Sequence, residues 1–240
     1  MVDEPDIAVT AALFGDRVRA AMLIALLDRS ALSAGQLALA ANVSAQTASF
    51  HLAKLTAGSL LVSSRRGRNH LYRLAGPAVA RALESLGALS TANLDQQQHP
   101  PDRFRSERMR QLRAARTCYD HLAGIAGVLV HDSLLKLGYL KSNGPKAYIL
   151  TAKGQRWFSE QGGDAELIER RSPFARPCMD WTEQTPHLAG RLAAFMLDEF
   201  FRNGWIARVR DSRAVRITDR GRRALEQHYG VNFKNIPSLS

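Results

Sequence analysis

With 240 residues and 45% hydrophobic content, the chain is long enough for one large domain or two ordinary ones, and too apolar to be disordered throughout. Its formal net charge of +11, from 33 Lys and Arg against 22 Asp and Glu, favours a polyanionic partner but does not choose among DNA, RNA and an acidic membrane. Two cysteines are too few for a disulfide scaffold, the acidic start lacks the basic segment of a signal peptide, and the longest apolar runs, such as residues 122–130, fall short of the ~20 that span a bilayer; a cytoplasmic, reduced chain without membrane contact is expected.

Residues 7–28 carry Leu13, Val18, Met22, Ile24, Ala25, Leu26 and Leu27 in a pattern of two helices broken around Gly15-Asp16. Ser33 reads as the N-cap of the next helix, with Leu37, Ala40 and Ala41 at helical spacing, and Asn42-Val43-Ser44 interrupts it with turn chemistry. A new helix starts at Ser44. There Ala48, Leu52 and Leu55 face a core, and Gln46, Thr47, Ser49, Phe50 and Lys54 face outward on a small, polar, acid-free surface. Such a surface suits a major groove, where short hydroxyl and amide side chains approach base edges without repelling the phosphates. Gly58 ends this helix. Two extended runs follow, 60–62 and 70–74, joined by Ser63-Ser64-Arg65-Arg66-Gly67-Arg68-Asn69, a hairpin with Gly67 near its tip; residues 60–73 hold four arginines and no acid.

The set Thr47-Ala48-Ser49-Phe50-His51-Leu52, Leu55, Gly58, Arg65-Arg66-Gly67-Arg68 and Tyr72-Arg73-Leu74 resembles the ArsR/SmtB winged helix-turn-helix repressors over roughly residues 10–90. The resemblance implies a homodimer whose second helix enters the major groove and whose arginine-rich wing touches the flanking backbone or minor groove. It assigns DNA contact to Ser44, Gln46, Thr47, Ser49, Phe50, His51, Lys54, Arg65, Arg66, Arg68 and Asn69. It also implies that the first helix helps to make the dimer. Residues 77–94 form a further helix with Val79, Leu83, Leu86 and Leu89 on one side, a stripe that suits a dimer interface or an ordinary core face, the family resemblance favouring the dimer.

Residues 95–102, polar and ending in Pro100-Pro101, read as a linker between a DNA-binding and dimerisation domain, 1–94, and a regulatory domain, 103–240. After it Phe104, Leu112, Ala115, Tyr119 and Leu122 sit at helical spacing. Arg103, Arg105, Arg108, Arg110, Arg113 and Arg116 face Glu107 alone, which reads equally as a second backbone contact with DNA or as a solvated face with arginines paired elsewhere.

The remainder repeats. His121-Leu122-Ala123-Gly124 recurs as His187-Leu188-Ala189-Gly190, and seventeen residues after each histidine stands a glycine, Gly138 or Gly204. Tyr148-Ile149-Leu150-Thr151-Ala152-Lys153-Gly154 then matches Val215-Arg216-Ile217-Thr218-Asp219-Arg220-Gly221, displaced by one inserted residue. Each unit, about 119–162 and 185–230, reads as a helix, a glycine stop, a hairpin and a Thr-capped helix, the order already seen around Gly58. The expected fold is therefore mainly α with short β-hairpins (α+β): an N-terminal winged helix-turn-helix and two C-terminal winged-helix-like repeats. The helices before Gly138 and Gly204 lack a polar, acid-free face and suit packing. Trp157, Phe158, Trp181, Phe195, Phe200, Phe201 and Trp205 offer aromatic surface for a core or for an organic effector.

Thiol or metal chemistry has four candidates. Cys118 and His121 stand at i, i+3 on a predicted helix, and Cys178 and His187, with Asp180, are potential further ligands. Cys118 lies three residues before its histidine and Cys178 nine, so the repeat gives no reason to pair them. Many metal-sensing members of the family the chain resembles place cysteines in the helix before the reading helix, and residues 33–40 have none; the expectation is no metal and no cofactor. No nucleophile elbow, phosphate loop, dinucleotide fingerprint or zinc-protease motif occurs, so no enzyme is expected. The function expected is a sequence-specific double-stranded DNA-binding regulator, a homodimeric repressor released from an inverted-repeat operator by a signal sensed in residues 103–240, an organic effector or else modification of Cys118 or Cys178. The alternative is a basic architectural protein without effector control.

Overall fold

The computed structural model describes residues 6–27, 31–67, 69–95, 106–164, 166–169, 173–210, 212–231 and 233. The predicted linker, except for Asp95, lies outside them, as do Arg103, Phe104 and Arg105. The chain forms two compact units, 1–83 and 84–240, so the division falls inside the long helix that the sequence places at the end of the first domain. Among the described residues no helix is long and apolar enough to cross a membrane.

The first unit is a winged helix-turn-helix. Helices α1 (Ile7–Phe14) and α2 (Arg17–Ala25) are separated at Gly15-Asp16, and Asp16 caps α2 by accepting from the Arg19 amide at 2.9 Å. Ser33 opens α3 (Ala34–Ala41) with a reciprocal capping box to Gln36. Asn42 then enters the left-handed region at φ 52°, where an asparagine is tolerated, and turns the chain into α4 (Ala45–Ala57). Strands β2 (Leu61–Arg66) and β3 (Asn69–Leu74) form the wing. They are longer than the apolar runs predict: the register reaches Arg66 opposite Asn69, and Gly67, at φ 62°, supplies the two-residue turn. A short strand, β1 (Leu32–Ser33), pairs with β3 and was not anticipated. Met22, Leu23, Leu26, Leu27, Leu37, Leu52, Leu55, Leu61 and Leu74 form the core. In α3 it is Leu37 and Ala38 that are buried, whereas Ala40 is exposed. Helix α5 (Pro77–Asp95) follows the wing.

The second unit opens with α6 (Glu107–Ala114), and here the sequence expectation fails. The predicted helix does not continue to Leu122: Ala115 turns extended, β4 (Arg116–Cys118) and β5 (His121–Ala123) pair, and Tyr119, at φ 59°, makes the tight turn between them. Pairing with a distant segment decides the matter, because the Thr117 amide donates to the Arg213 carbonyl and Val215 donates to Ala115. Helix α7 (Gly124–Lys136), strands β6 (Leu140–Ser142) and β7 (Tyr148–Leu150) and helix α8 (Ala152–Glu160) complete the first repeat. After the short helix α9 (Glu166–Glu169), the order recurs as β8 (Arg176–Met179), β9 (Pro186–Ala189), α10 (Arg191–Arg202), β10 (Ile206–Arg208), β11 (Val215–Ile217) and α11 (Asp219–Tyr229).

The repeated sequence marks have repeated physical roles. Thr151 caps α8 by accepting from Gly154 and donates its hydroxyl to the Gly138 carbonyl; Thr218 caps α11 through Gly221 and donates to Gly204. A Cβ on Gly154 would lie 2.0 Å from the Tyr139 carbonyl oxygen, and one on Gly221 2.0 Å from that of Trp205. The repeat also extends upstream of 119 and 185, to include a leading hairpin in each copy.

The aromatic residues are mostly core. Trp157 stacks on Tyr139 and meets Tyr229 edge-on, Phe158 meets Phe195 edge-on, and Phe200 stacks on Trp205. Trp181 is apart from this group, beneath the Arg116 guanidinium at 4.8 Å. A cavity of about 20 Å³ among Val130, Met196, Leu197 and Phe200 has room for roughly one water.

Candidate functional site

The reading surface is built on α4. Ser44 caps its N-terminus, accepting from the Thr47 amide at 3.1 Å with its hydroxyl 2.9 Å from that of Thr47. Ala48, Leu52 and Leu55 fix the helix to the core, so the 3.6-residue period leaves Ser44, Gln46, Thr47, Ser49, Phe50 and Lys54 exposed. No acid stands on this helix, and its N-terminal end carries the positive pole of the backbone dipole. Ser49 donates to the Ala45 carbonyl at 2.9 Å, and the Lys54 ammonium lies 4.4 Å from the centroid of the Phe50 ring. Phe50 itself is 58% exposed, a large apolar side chain held in solvent on an otherwise polar face.

His51 departs from the expected set. Its side chain is only 12% exposed and turns inward, with Nδ1 3.4 Å from the Asp16 carboxylate. The Asp16 carboxyl is held below the usual range, chiefly by the Arg19 backbone N–H, which burial opposes and the nearby Arg19 guanidinium assists. His51 thus lies between α4 and the start of α2, whereas the other residues assigned to base contact on this helix are exposed. In the wing, Arg65 and Arg73 are exposed, Arg65 standing opposite His70. The backbones of Arg66 and Asn69 close the hairpin; their side chains, and Arg68 altogether, lie outside the described residues.

Residues 14–64 match the family described as Helix-turn-helix domain, the segment from the end of α1 into the wing. A relative from Bacillus subtilis (strain 168), the uncharacterized HTH-type transcriptional regulator YdfF, is 37% identical over 230 residues, 95% of this chain and 99% of its own length. The chain belongs to the HTH-type transcriptional regulators. Among solved structures, it is similar to the homodimeric winged helix-turn-helix DNA-binding domain Mb0332 (fragment 1–100) from Mycobacterium bovis, at 25% identity over 42% of this chain and 100% of that one, with a TM-score of 0.35. It is also similar to the cadmium metal-sensor CMTR from Mycobacterium tuberculosis, at 35% identity over 33% and 82%, with a TM-score of 0.30. The winged helix-turn-helix expected from the ArsR/SmtB resemblance is the fold found, and the regulator binds DNA with it.

The arginines that follow the linker are largely engaged within the regulator's second unit. Arg110 pairs with Glu107, Arg113 with Glu183 at 2.9 Å, and Arg116 is fully buried, 3.0 Å from Asp180, while Arg108 is exposed. Among the described residues, Arg110 thus pairs within its own helix, and Arg113 and Arg116 pair with acids from elsewhere in the unit.

The four thiol and imidazole candidates come together. Cys118 faces His121 across the first leading hairpin and Cys178 faces His187 across the second. The two hairpins pack so that the ligand atoms of all four lie within 4.8 Å of one another, every residue buried. Asp120 Oδ1 stands 2.9 Å from His121 Nδ1, and Asp180 Oδ2 stands 3.3 Å from His187 Nδ1. Burial works against the His121 imidazolium, but Asp120 and Cys178 outweigh it and hold the pKa up at about 8. Cys178 is pushed down by its close neighbours, Cys118 first, against the effect of burial, whereas Cys118 is pushed up.

The two cysteines are therefore repeat equivalents, contrary to the count from each histidine. The signal was in the chain: Ala115-Arg116-Thr117-Cys118-Tyr119-Asp120 matches Ala175-Arg176-Pro177-Cys178-Met179-Asp180, and the spacing differs because eight residues separate Cys178 from His187 where two separate Cys118 from His121. Extra residues in a hairpin loop leave the strand register intact.

Proposed function

We propose that the regulator is a homodimeric repressor that reads an inverted-repeat operator in duplex DNA and is released by a signal received in the second unit. The observation that carries the reading is the acid-free face of α4, where Gln46, Thr47, Ser49, Phe50 and Lys54 are exposed at and beyond a capped helix N-terminus. Gln46 suits a base edge, Phe50 a thymine methyl, and Arg65 the backbone or minor groove. A dimer is favoured because one such helix covers only a half-site, and because α1 leaves Ile7 and Val9, and α5 leaves Leu86 and Leu89, exposed. An organic effector would enter the core beside Val130, Met196, Leu197 and Phe200 by displacing side chains, since the cavity among them is water-sized.

Operator selection followed by salt titration tests this. Arg65→Ala is expected to weaken matched and random duplexes alike and to lower the salt slope by about one, whereas Gln46→Ala reorders the preferred sites. Footprints should show two half-sites about one helical turn, or a multiple of it, apart. A monomer on a single half-site, or identical behaviour of the two variants, defeats the proposal.

A further inference from the structure

The second unit contains an arrangement that DNA binding does not use. Each leading hairpin presents one cysteine and one histidine from directly opposed positions, so the packed pair brings two sulfurs and two imidazoles to one buried point. His121 Nδ1 is hydrogen-bonded to Asp120, His187 Nδ1 stands 3.3 Å from Asp180 without completing a hydrogen bond, and each ring leaves Nε2 buried without a partner. A carboxylate behind an imidazole fixes the ring and raises its basicity as a ligand, the arrangement that supports metal-binding histidines. Leaving two ring nitrogens buried beside two thiols is unfavourable for an inert core, and is resolved if all four groups share an ion.

We propose that Cys118, His121, Cys178 and His187 bind one zinc ion tetrahedrally, fastening the two C-terminal repeats to each other through their leading hairpins. Two thiolates and two imidazoles match zinc in donor type and number, and zinc bonds of about 2.3 Å to sulfur and 2.0–2.1 Å to nitrogen place donors roughly 3.3–3.8 Å apart. Closure from the observed spread, within 4.8 Å, thus asks for a contraction of roughly 1 Å or somewhat more. Two thiolates neutralise the doubly charged ion, so the burial leaves no net charge on the metal and its sulfurs. With four protein ligands and no exposed side, the site is of the closed, structural kind rather than one that admits a substrate.

The surrounding contacts hold the same seam. Asp180 also accepts from Arg116, from Thr182 and from the Gly124 amide, so the carboxylate behind His187 is anchored to the opposite repeat. Ala123 and Ala189, equivalent in the two hairpins, complete a small buried cluster with the cysteines. Their small side chains allow the strands to approach.

The proposal is tested on the full chain without DNA, so it and the operator reading fail separately. Reduced protein purified with zinc and dialysed should retain about one zinc per chain, with an X-ray absorption shell of two sulfurs near 2.3 Å and two nitrogens near 2.0–2.1 Å. Co²⁺ in its place should give tetrahedral visible absorption with a thiolate charge-transfer band. Asp120→Asn should lower zinc affinity about 10- to 100-fold in a chelator competition while leaving the fold intact by circular dichroism. A shell of nitrogen and oxygen alone, zinc retention unchanged in the Cys118→Ser, Cys178→Ser double variant, or a reduced wild-type chain that takes up no zinc would each overturn the assignment.

Discussion

In the head, α4 leaves Gln46, Thr47, Ser49, Phe50 and Lys54 in solvent, whereas α7 and α10, the helices before the wings of the two C-terminal repeats, bury Ala126, Val130 and Leu134 or Leu192, Met196 and Phe200. The wings differ likewise. Those of the head have six residues per strand, about 20 Å at ~3.3 Å per residue, while β6, β7, β10 and β11 have three, about 10 Å. One order of elements therefore serves two ends: an open helix with a long basic arm suits a polyanion, and a closed helix with a short arm is buried within the second unit, α7 against β9 and α10 against β5 and β9. The chemistry of the repeats has moved to their leading hairpins, where polar and ligating groups are buried at the seam between the copies.

The sharpest way to break this comparison is at Arg116, whose guanidinium is fully buried against Asp180 at 3.0 Å and near Glu84 at 3.9 Å. Arg116→Ala leaves buried carboxylates without their counter-charge and should cost about 3–5 kcal/mol. Peptide-resolved hydrogen exchange in denaturant should locate that loss in residues 84–240 and leave residues 6–83 protected as before. Equal loss in both units would mean that they do not fold as separate bodies. A smaller effect sharpens the likeness between the repeats. Gly154→Ala and Gly221→Ala each drive a Cβ to 2.0 Å from a carbonyl oxygen at the same place in the fold, so each should cost about 1–3 kcal/mol, by similar amounts. Gly35→Ala in α3, where nothing lies within 4 Å, should instead gain up to about 1 kcal/mol; unequal losses in the repeats would separate their packing.

Much of this division was legible in the chain. Caps, glycine stops and the 3.6-residue stripe are local signals, so α3, α4, the wing, α5 and the order of the two repeats follow from the residues that make them. Ser33, Ser44, Thr151 and Thr218 all cap as their spacing requires. The leading hairpin was missed because Ala115, Tyr119 and Leu122 also fit a helical stripe, and the segment that pairs with its outer edge lies about a hundred residues away at Arg213 and Ala214. The inward turn of His51 was missed for a related reason. Its position on α4 sits at the edge of the apolar stripe, and the acid it approaches, Asp16, stands on a different element, at the start of α2.

That last contact yields the smallest prediction, and one confined to the head. Asp16 accepts from the Arg19 amide at 2.9 Å as the cap of α2 and lies 3.4 Å from His51, so its carboxylate form is favoured by the fold. A carboxyl whose folded pKa is depressed contributes stability above its unfolded value of about 3.9, and loses that contribution as pH falls through the lower folded value. Asp16→Ala should therefore cost about 1 kcal/mol at neutral pH, the usual worth of a cap, and the gap from the parent should close as the solution is acidified below about pH 4. Because Asp16 also steadies His51 on α4, the variant should weaken matched-duplex binding slightly while leaving the salt slope unchanged, Asp16 making no phosphate contact. A stability gap that widens on acidification would reverse the sign expected of a depressed carboxyl and remove the Asp16 link between α2 and the reading helix.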